Sequence, residues 1–233
     1  MIPSLLHQTA KTADIPDRWK RFQKIVQDLH PGWTYKLWTD EDNLAFVKSE
    51  YPDFLDVFLG LPRNIMRADV IRYLIMYRLG GLYLDLDYEM LKPFDLVSED
   101  IVLPLEKAGS VDAPDQSLCQ AFFAAAPGHP FFKMLIDELK AHPPTAADAD
   151  VESSTGPRFV TKMYHRARTQ GMTFCTPDRS LFNPETPHND KEYRAIVDAG
   201  VAYGIHHCDG SWREWTTAQR LRNTLARAVK RLV

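Results

Sequence analysis

Residues 63–95 constrain the fold more than any other part of this 233-residue chain. Residues 64–79 form a long apolar run in which Met66, Val70, Tyr73, Leu74 and Tyr77 fall at helical spacing, predicting a helix that is largely buried. Gly80-Gly81 supplies the backbone freedom that commonly ends such a helix. Leu82, Leu84 and Leu86 then alternate with Tyr83, Asp85 and Asp87, predicting a short strand over 82–87 with carboxylates at its far end. Helix, tight glycine turn and apolar strand together are an α/β signature.

The rest of the chain keeps that alternation. Strands are expected at 4–7, 34–38, 101–105, 121–125 and 201–207. Helices are expected from Pro16, placed at the first helical position, to Leu29, and over 41–49, 130–140 and 157–169, with Thr39-Asp40 capping the second and Ser154 or Thr155 the last. The stretch 142–154, rich in Pro, Ala and Asp, reads as a loop over the site. Hydrophobic residues make up 45% and charged residues 25%, enough for one packed domain and too apolar for general disorder. A net charge of -3 argues against a protein built to bind nucleic acid. Cys119, Cys175 and Cys208 are sparse and far apart, as expected of reduced thiols in a cytoplasmic protein. No run approaches the roughly 20 apolar residues of a spanning helix, and no secretory leader is legible at the start.

Three groups of residues carry candidate chemistry. Asp85 and Asp87, two apart on an extended backbone, project to one side at the end of a buried strand, where carboxylates are costly unless paired or bound to metal. They could equally cap turns or pair with arginine. Asp69 and Arg72 share a helix face, with Arg78 further on; they form either an ordinary ion pair or a reach toward a ligand beside the aspartates. In open α/β sheets ligands bind beyond the carboxyl ends of strands, where Asp87 falls. The third group is Gly204-Ile-His-His-Cys-Asp-Gly-Ser-Trp212. Alternation sends His206 and His207 opposite ways, so at most one joins a metal. Aspartates plus one histidine suit Mn²⁺ or Mg²⁺ on phosphate oxygens and do not make a zinc pattern.

Arg67-Ala-Asp-Val-Ile-Arg-Tyr-Leu-Ile-Met-Tyr-Arg-Leu-Gly-Gly-Leu-Tyr-Leu-Asp-Leu-Asp87 closely resembles the DXD sugar-nucleotide region of glycosyltransferase family 32. That family includes the initiating mannosyltransferases of yeast outer chains, inositolphosphoceramide mannosyltransferases and capsular polysaccharide transferases. The resemblance extends to Ile2-Pro-Ser-Leu-Leu-His-Gln-Thr9, Pro31-Gly-Trp-Thr-Tyr-Lys-Leu-Trp-Thr-Asp40, Pro127-Gly-His-Pro130, Ser154-Thr-Gly-Pro157 and His206-His-Cys-Asp-Gly-Ser-Trp212. It implies a GT-A-like α/β domain over residues 1–212, with a mixed central sheet flanked by helices. It also implies a retaining, Mn²⁺- or Mg²⁺-dependent transfer of a hexose from a UDP- or GDP-sugar to a glycan or lipid-linked acceptor.

The resemblance gives individual residues their roles. Asp87 and the late histidine, placed at His207 with His206 as the fallback, are implied as metal ligands, while Asp85 holds ribose or metal-bound water. Asp69 and Arg72 grip the donor sugar. Thr9 and Tyr83 lie near the nucleotide, and Ser211 and Trp212 close over the diphosphate. One position departs from the family: Ala10 stands where a tryptophan usually stacks on the base, leaving Trp38 or Tyr83 to supply that platform.

Two other classes compete. A phosphate-ester hydrolase with an aspartyl nucleophile also uses DxD after an apolar strand, but wants DxDxT, and here Tyr88-Glu89 follows. A non-catalytic module that binds sugar nucleotide or glycan is the other, and Ala10 favours it. Beyond residue 212 the charge changes: six basic residues and one acidic give 213–233 a net +5, against -8 for 1–212. Leu221, Leu225, Val229 and Leu232 recur at helical spacing, predicting an amphipathic basic helix over 216–233 that docks on the domain or on an anionic membrane surface. The expected location is therefore cytoplasmic, with peripheral contact at the inner face of the membrane as the alternative.

Overall fold

A computed structural model of the chain describes residues 1–147 and 150–210. The strands are β1 (Leu5–Thr9), β2 (Thr34–Trp38), β3 (Gly81–Leu84), β4 (Tyr88–Met90), β5 (Ile101–Val102), β6 (Phe122–Ala125) and β7 (Gly204–His206). The helices are α1 (Asp17–Leu29), α2 (Asp40–Glu50), α3 (Leu55–Gly60), α4 (Asn64–Leu79), α5 (Pro130–Ala141), α6 (Val151–Ser154), α7 (Pro157–Thr169), α8 (Arg179–Phe182) and α9 (Asp190–Ala199). Five strands form a mixed sheet in the order β2-β1-β3-β6-β5, parallel from β2 to β3 and antiparallel beyond. β4 and β7 make a separate antiparallel pair.

Strand alternation divides the core into two layers. Leu82, Leu84, Phe122 and Ala124 face one side, with Val26 of α1 and Phe182 of α8. Tyr83, Phe123 and Ala125 face the other, against α4, α5 and α7. α4 is buried from Met66 to Met76 except for Arg67 and Ala68, and the buried set includes Asp69 and Arg72. A helix enclosed in this way must bring partners for any charge it carries. The Gly80-Gly81 turn is obligatory twice over. Both residues have positive φ, and a Cβ on Gly81 would come within 2.7 Å of the Leu5 carbonyl oxygen. The chain therefore passes tightly from α4 into β3, with Tyr83 directed back under α4.

Several expectations change. β3 ends at Leu84, and Asp85-Leu86-Asp87 is a turn closed by the Tyr88 N–H on the Asp85 carbonyl at 3.0 Å, so the two carboxylates do not share a strand face. The strands expected at 101–105 and 201–207 shrink to β5 and β7. Pro16 precedes the first helix instead of opening it. Gly156 occupies the N-cap of α7, because the Thr155 hydroxyl is used elsewhere. Part of the expected loop at 142–154 is the short helix α6. The Thr39 cap of α2 is present as a capping box with Asp42. Helices α3, α8 and α9 were not legible. The domain boundary at 212 and the helix expected over 216–233 lie outside the described residues.

Candidate active site

The side chains of interest gather where β1 and β3 end. Arg72 lies 3.2 Å from Asp69 and 3.5 Å from Asp85, and all three line a cleft of about 570 Å³ together with Glu106, Gln120 and His206. Arg72 also donates to the carbonyls of Ala68 and Gln120, at 3.1 and 2.9 Å, so its planar fork is fixed. Asp69 accepts from the Thr155 hydroxyl at 2.8 Å. Burial pushes the Asp69 carboxyl up to about 7, with the Arg72 guanidinium pulling the other way. Arg72 is held above its ordinary value, because Tyr83, Asp85 and Asp69 outweigh its burial.

Asp85 is oriented from below. The Tyr83 hydroxyl donates to Asp85 Oδ1 at 2.9 Å and therefore accepts from Thr9 Oγ1, also at 2.9 Å. Gln8 donates to the Asp85 carbonyl at 3.3 Å. Burial, above all, raises the Tyr83 phenol, keeping it a donor. The Arg72 guanidinium lies over the Tyr83 ring at 5.0 Å.

Asp87 faces the late strand. His206 Nε2 stands 3.4 Å from Asp87 Oδ1, and the Asp209 N–H donates to Asp87 Oδ2 at 2.8 Å. One ligand atom each from Asp85, Asp87 and His206 fits within 4.8 Å of the others, a hard oxygen-rich set with one imidazole that suits Mn²⁺ or Mg²⁺. Burial opposes protonation of His206, yet the Asp87 carboxylate raises its imidazole to about 11. Asp87 is lowered by the same pairing against its own burial. In each case the field at this point favours a positive charge.

The structure brings His206, the fallback, to the aspartates, and not His207. His206 Nε2 is the imidazole nitrogen that approaches Asp87, at 3.4 Å from Oδ1, and His206 groups with Asp85 and Asp87. The His207 ring points away, bonded to Glu89 at 2.8 Å and stacked on Phe22 at 5.1 Å. Neither Trp38 nor Tyr83, expected as a base platform, presents an open ring face. Tyr83 is fully buried. Trp38 is buried between Lys36, 3.8 Å above its ring, and Phe46, with its indole N–H donated to His7. Arg78 does not join the cleft: it pairs with Glu50 on the surface. Ser211 and Trp212 lie outside the described residues. Among the described residues, Gln8, Gln120, Thr155 and Asp209 had no assigned role. Gln8, Thr155 and Asp209 lie inside quoted motifs, whereas Gln120 acts on Arg72 through a backbone carbonyl, which no side-chain pattern reveals.

Comparison with known proteins bears on family and fold. Residues 16–103 match the glycosyltransferase sugar-binding region containing the DXD motif. Mannosyl phosphorylinositol ceramide synthase CSH1 of Saccharomyces cerevisiae is 37% identical over 171 residues, covering 71% of this chain and 44% of that protein. Inositol phosphoceramide mannosyltransferase 3 of Schizosaccharomyces pombe is 52% identical over 86 residues, covering 37% of this chain and 24% of that protein. The chain thus spans less than half the length of these relatives. Among solved structures, the PaToxG glycosyltransferase superposes with a TM-score of 0.56 at 15% identity, over 99% of this chain and 87% of that one, a likeness of fold alone. The fold is that of the GT-A glycosyltransferases. The chain belongs to glycosyltransferase family 32, the family its motifs resemble.

Proposed function

We propose that the protein is a retaining, divalent-metal-dependent glycosyltransferase that moves a hexose from a UDP- or GDP-sugar to a glycan or lipid-linked acceptor. The observation that carries this reading is the convergence of Asp85, Asp87 and His206 at the edge of a cleft floored by Asp69 and Arg72. Asp85, Asp87 and His206 would hold Mn²⁺ or Mg²⁺, which supplies Lewis-acid stabilisation of the charge that builds on a departing diphosphate. Arg72 contributes fixed positive charge in a buried setting, where it needs no rearrangement as the donor bond breaks. Asp69, held by Arg72 and Thr155, would accept donor-sugar hydroxyls. Tyr83 and Thr9 keep Asp85 facing the cleft. Retention is an inference from the family. The names of the relatives make mannose the first hexose to try. Ser211 and Trp212 are proposed to complete the donor site, and residues 213–233 to form a basic amphipathic helix that is not an independent domain.

A second set of proposals concerns the setting. A lipid-linked acceptor would place the enzyme at an anionic membrane surface on the cytoplasmic side, reached through residues 216–233. Among the described residues no helix is long and apolar enough to cross a membrane. The transferase reading is tested with a panel of UDP- and GDP-hexoses and Mn²⁺, following nucleotide release with and without acceptor. Turnover that depends on Mn²⁺ supports it. Tight nucleotide binding with no transfer favours a binding module, and hydrolysis of an aryl phosphate favours a phosphatase.

A further inference from the structure

Asp209 lies beyond the end of β7 and takes no part in the cleft lining. Its carboxylate is nevertheless fully engaged. Oδ1 accepts from Arg18 Nη1 at 2.9 Å, and Oδ2 accepts from the indole N–H of Trp19 at 3.0 Å. Both donors belong to the first turn of α1, an element on the opposite side of the chain in sequence. The backbone N–H of the same residue donates to Asp87 Oδ2 at 2.8 Å, and that of His207 donates to the Asp87 carbonyl at 3.0 Å. Between them Cys208 has φ of +50, the one residue other than glycine with a positive φ among the described residues. A side chain adopts that conformation only where its surroundings impose it. The bend is what returns the chain so that the Asp209 N–H meets Asp87.

We propose that Asp209 is a positioning residue for the metal centre: anchored on α1 by Arg18 and Trp19, it holds its own N–H on one oxygen of Asp87 and leaves the other for a divalent cation. The inference rests on the metal site proposed above. A free carboxylate can rotate and offer either oxygen. Here the bond to Oδ2 fixes the rotation, and Oδ1 is the oxygen 3.4 Å from His206 Nε2. The Asp209 charge is itself neutralised by Arg18, so it does not compete for the cation. Anchors of this kind typically set metal affinity about 10–100-fold. An Asp209 that merely fastened the loop to α1 would alter the melting temperature and leave cation affinity alone.

The test is a Mn²⁺ titration of the full chain, reading free Mn²⁺ by its paramagnetic resonance signal, alongside metal-free melting temperatures. Asp209→Ala is expected to weaken Mn²⁺ binding about 10–100-fold with a metal-free fold close to wild type. Asp209→Asn, which keeps one carbonyl acceptor, recovers part of that loss, and Trp19→Phe weakens binding several-fold. Wild-type affinity in both Asp209→Ala and Trp19→Phe overturns the proposal. If Asp209→Ala does not fold, Asp209→Asn and Trp19→Phe decide it in the same way. An Asp87→Asn control separates the two levels of the argument. Loss of Mn²⁺ in that control with unchanged affinity in the Asp209 variants sinks this inference alone. Unchanged affinity in Asp87→Asn sinks the metal site and this inference with it.

Discussion

His206 Nε2 stands 3.4 Å from Asp87 Oδ1, joining the end of β7 to the turn after β3. The adjacent imidazole, His207, has no part in this contact and instead partners the buried Glu89 at 2.8 Å. The two histidines should therefore fail differently. His206→Ala is expected to lower Mn²⁺ affinity at least about 10-fold with little change in stability. His207→Ala leaves the buried Glu89 with the Tyr193 hydroxyl alone and should cost about 1–3 kcal/mol of stability, with a smaller effect on Mn²⁺. Calorimetric Mn²⁺ titration beside urea denaturation separates them, and the reverse pattern would restore His207 as the ligand.

Arg72 is the cation shared by two carboxylates. Replacing it by Met strands Asp69, which is 4% exposed, and should destabilise the protein by about 3–5 kcal/mol in chemical denaturation. Arg72→Lys keeps the charge but loses the fork that also reaches the Ala68 and Gln120 carbonyls, so activity should remain low while part of the stability returns. A loss below about 1 kcal/mol for Arg72→Met would show that the pair is not enclosed as described.

The acid limb of stability should carry a signature from His7. Trp38 Nε1 can only donate, so His7 Nδ1 must accept, and the Nε2–H then donates to the Gly80 carbonyl at 2.9 Å. Burial lowers the His7 pKa to about 4, below its unfolded value of 6.5. The unfolded chain thus binds a proton that the folded chain refuses. The contribution is complete above pH 6.5 and is lost as pH falls to 4, amounting to about 3 kcal/mol. His7→Gln should flatten this part of the profile measured by denaturant titration; an unchanged slope would remove His7 as its source.

Gly204 tests how closely β4 and β7 must approach. A Cβ there would overlap the Tyr88 ring and lie 2.6 Å from the Glu89 carbonyl oxygen. Gly204→Ala should push β7 outward, costing about 1–3 kcal/mol and weakening Mn²⁺ binding by displacing His206. Unaltered Mn²⁺ affinity in this variant would mean that strand spacing does not set the position of His206.

The parts of the fold legible in the sequence are those whose cause is local. The Thr39 cap, the helix ending at Gly80-Gly81 and the strand Thr34–Trp38 each follow from residues within a few positions of one another. α9 escaped because it buries no residue and its apolar stripe is short, only Tyr193, Ile196 and Val197 among polar neighbours. The candidate site divides the same way. Asp69, Arg72, Asp85 and Asp87 stand in one continuous segment. The choice between His206 and His207 rests on contacts made across more than a hundred residues, His206 with Asp87 in the turn after β3 and His207 with Glu89, which alternation alone does not show. The turn at Asp85-Leu86-Asp87 was hidden because its backbone closure uses a carbonyl and an N–H, which every residue offers.

The most direct measurement of the central claim is sugar transfer by Asp87→Asn. Wild-type protein with Mn²⁺ and the donor it turns over should release nucleotide in step with acceptor glycosylation, and chelation should abolish that release. Asp87→Asn should be at least roughly 100-fold slower, with a melting temperature within a few degrees of wild type. Full-rate, Mn²⁺-dependent transfer by Asp87→Asn would contradict the account.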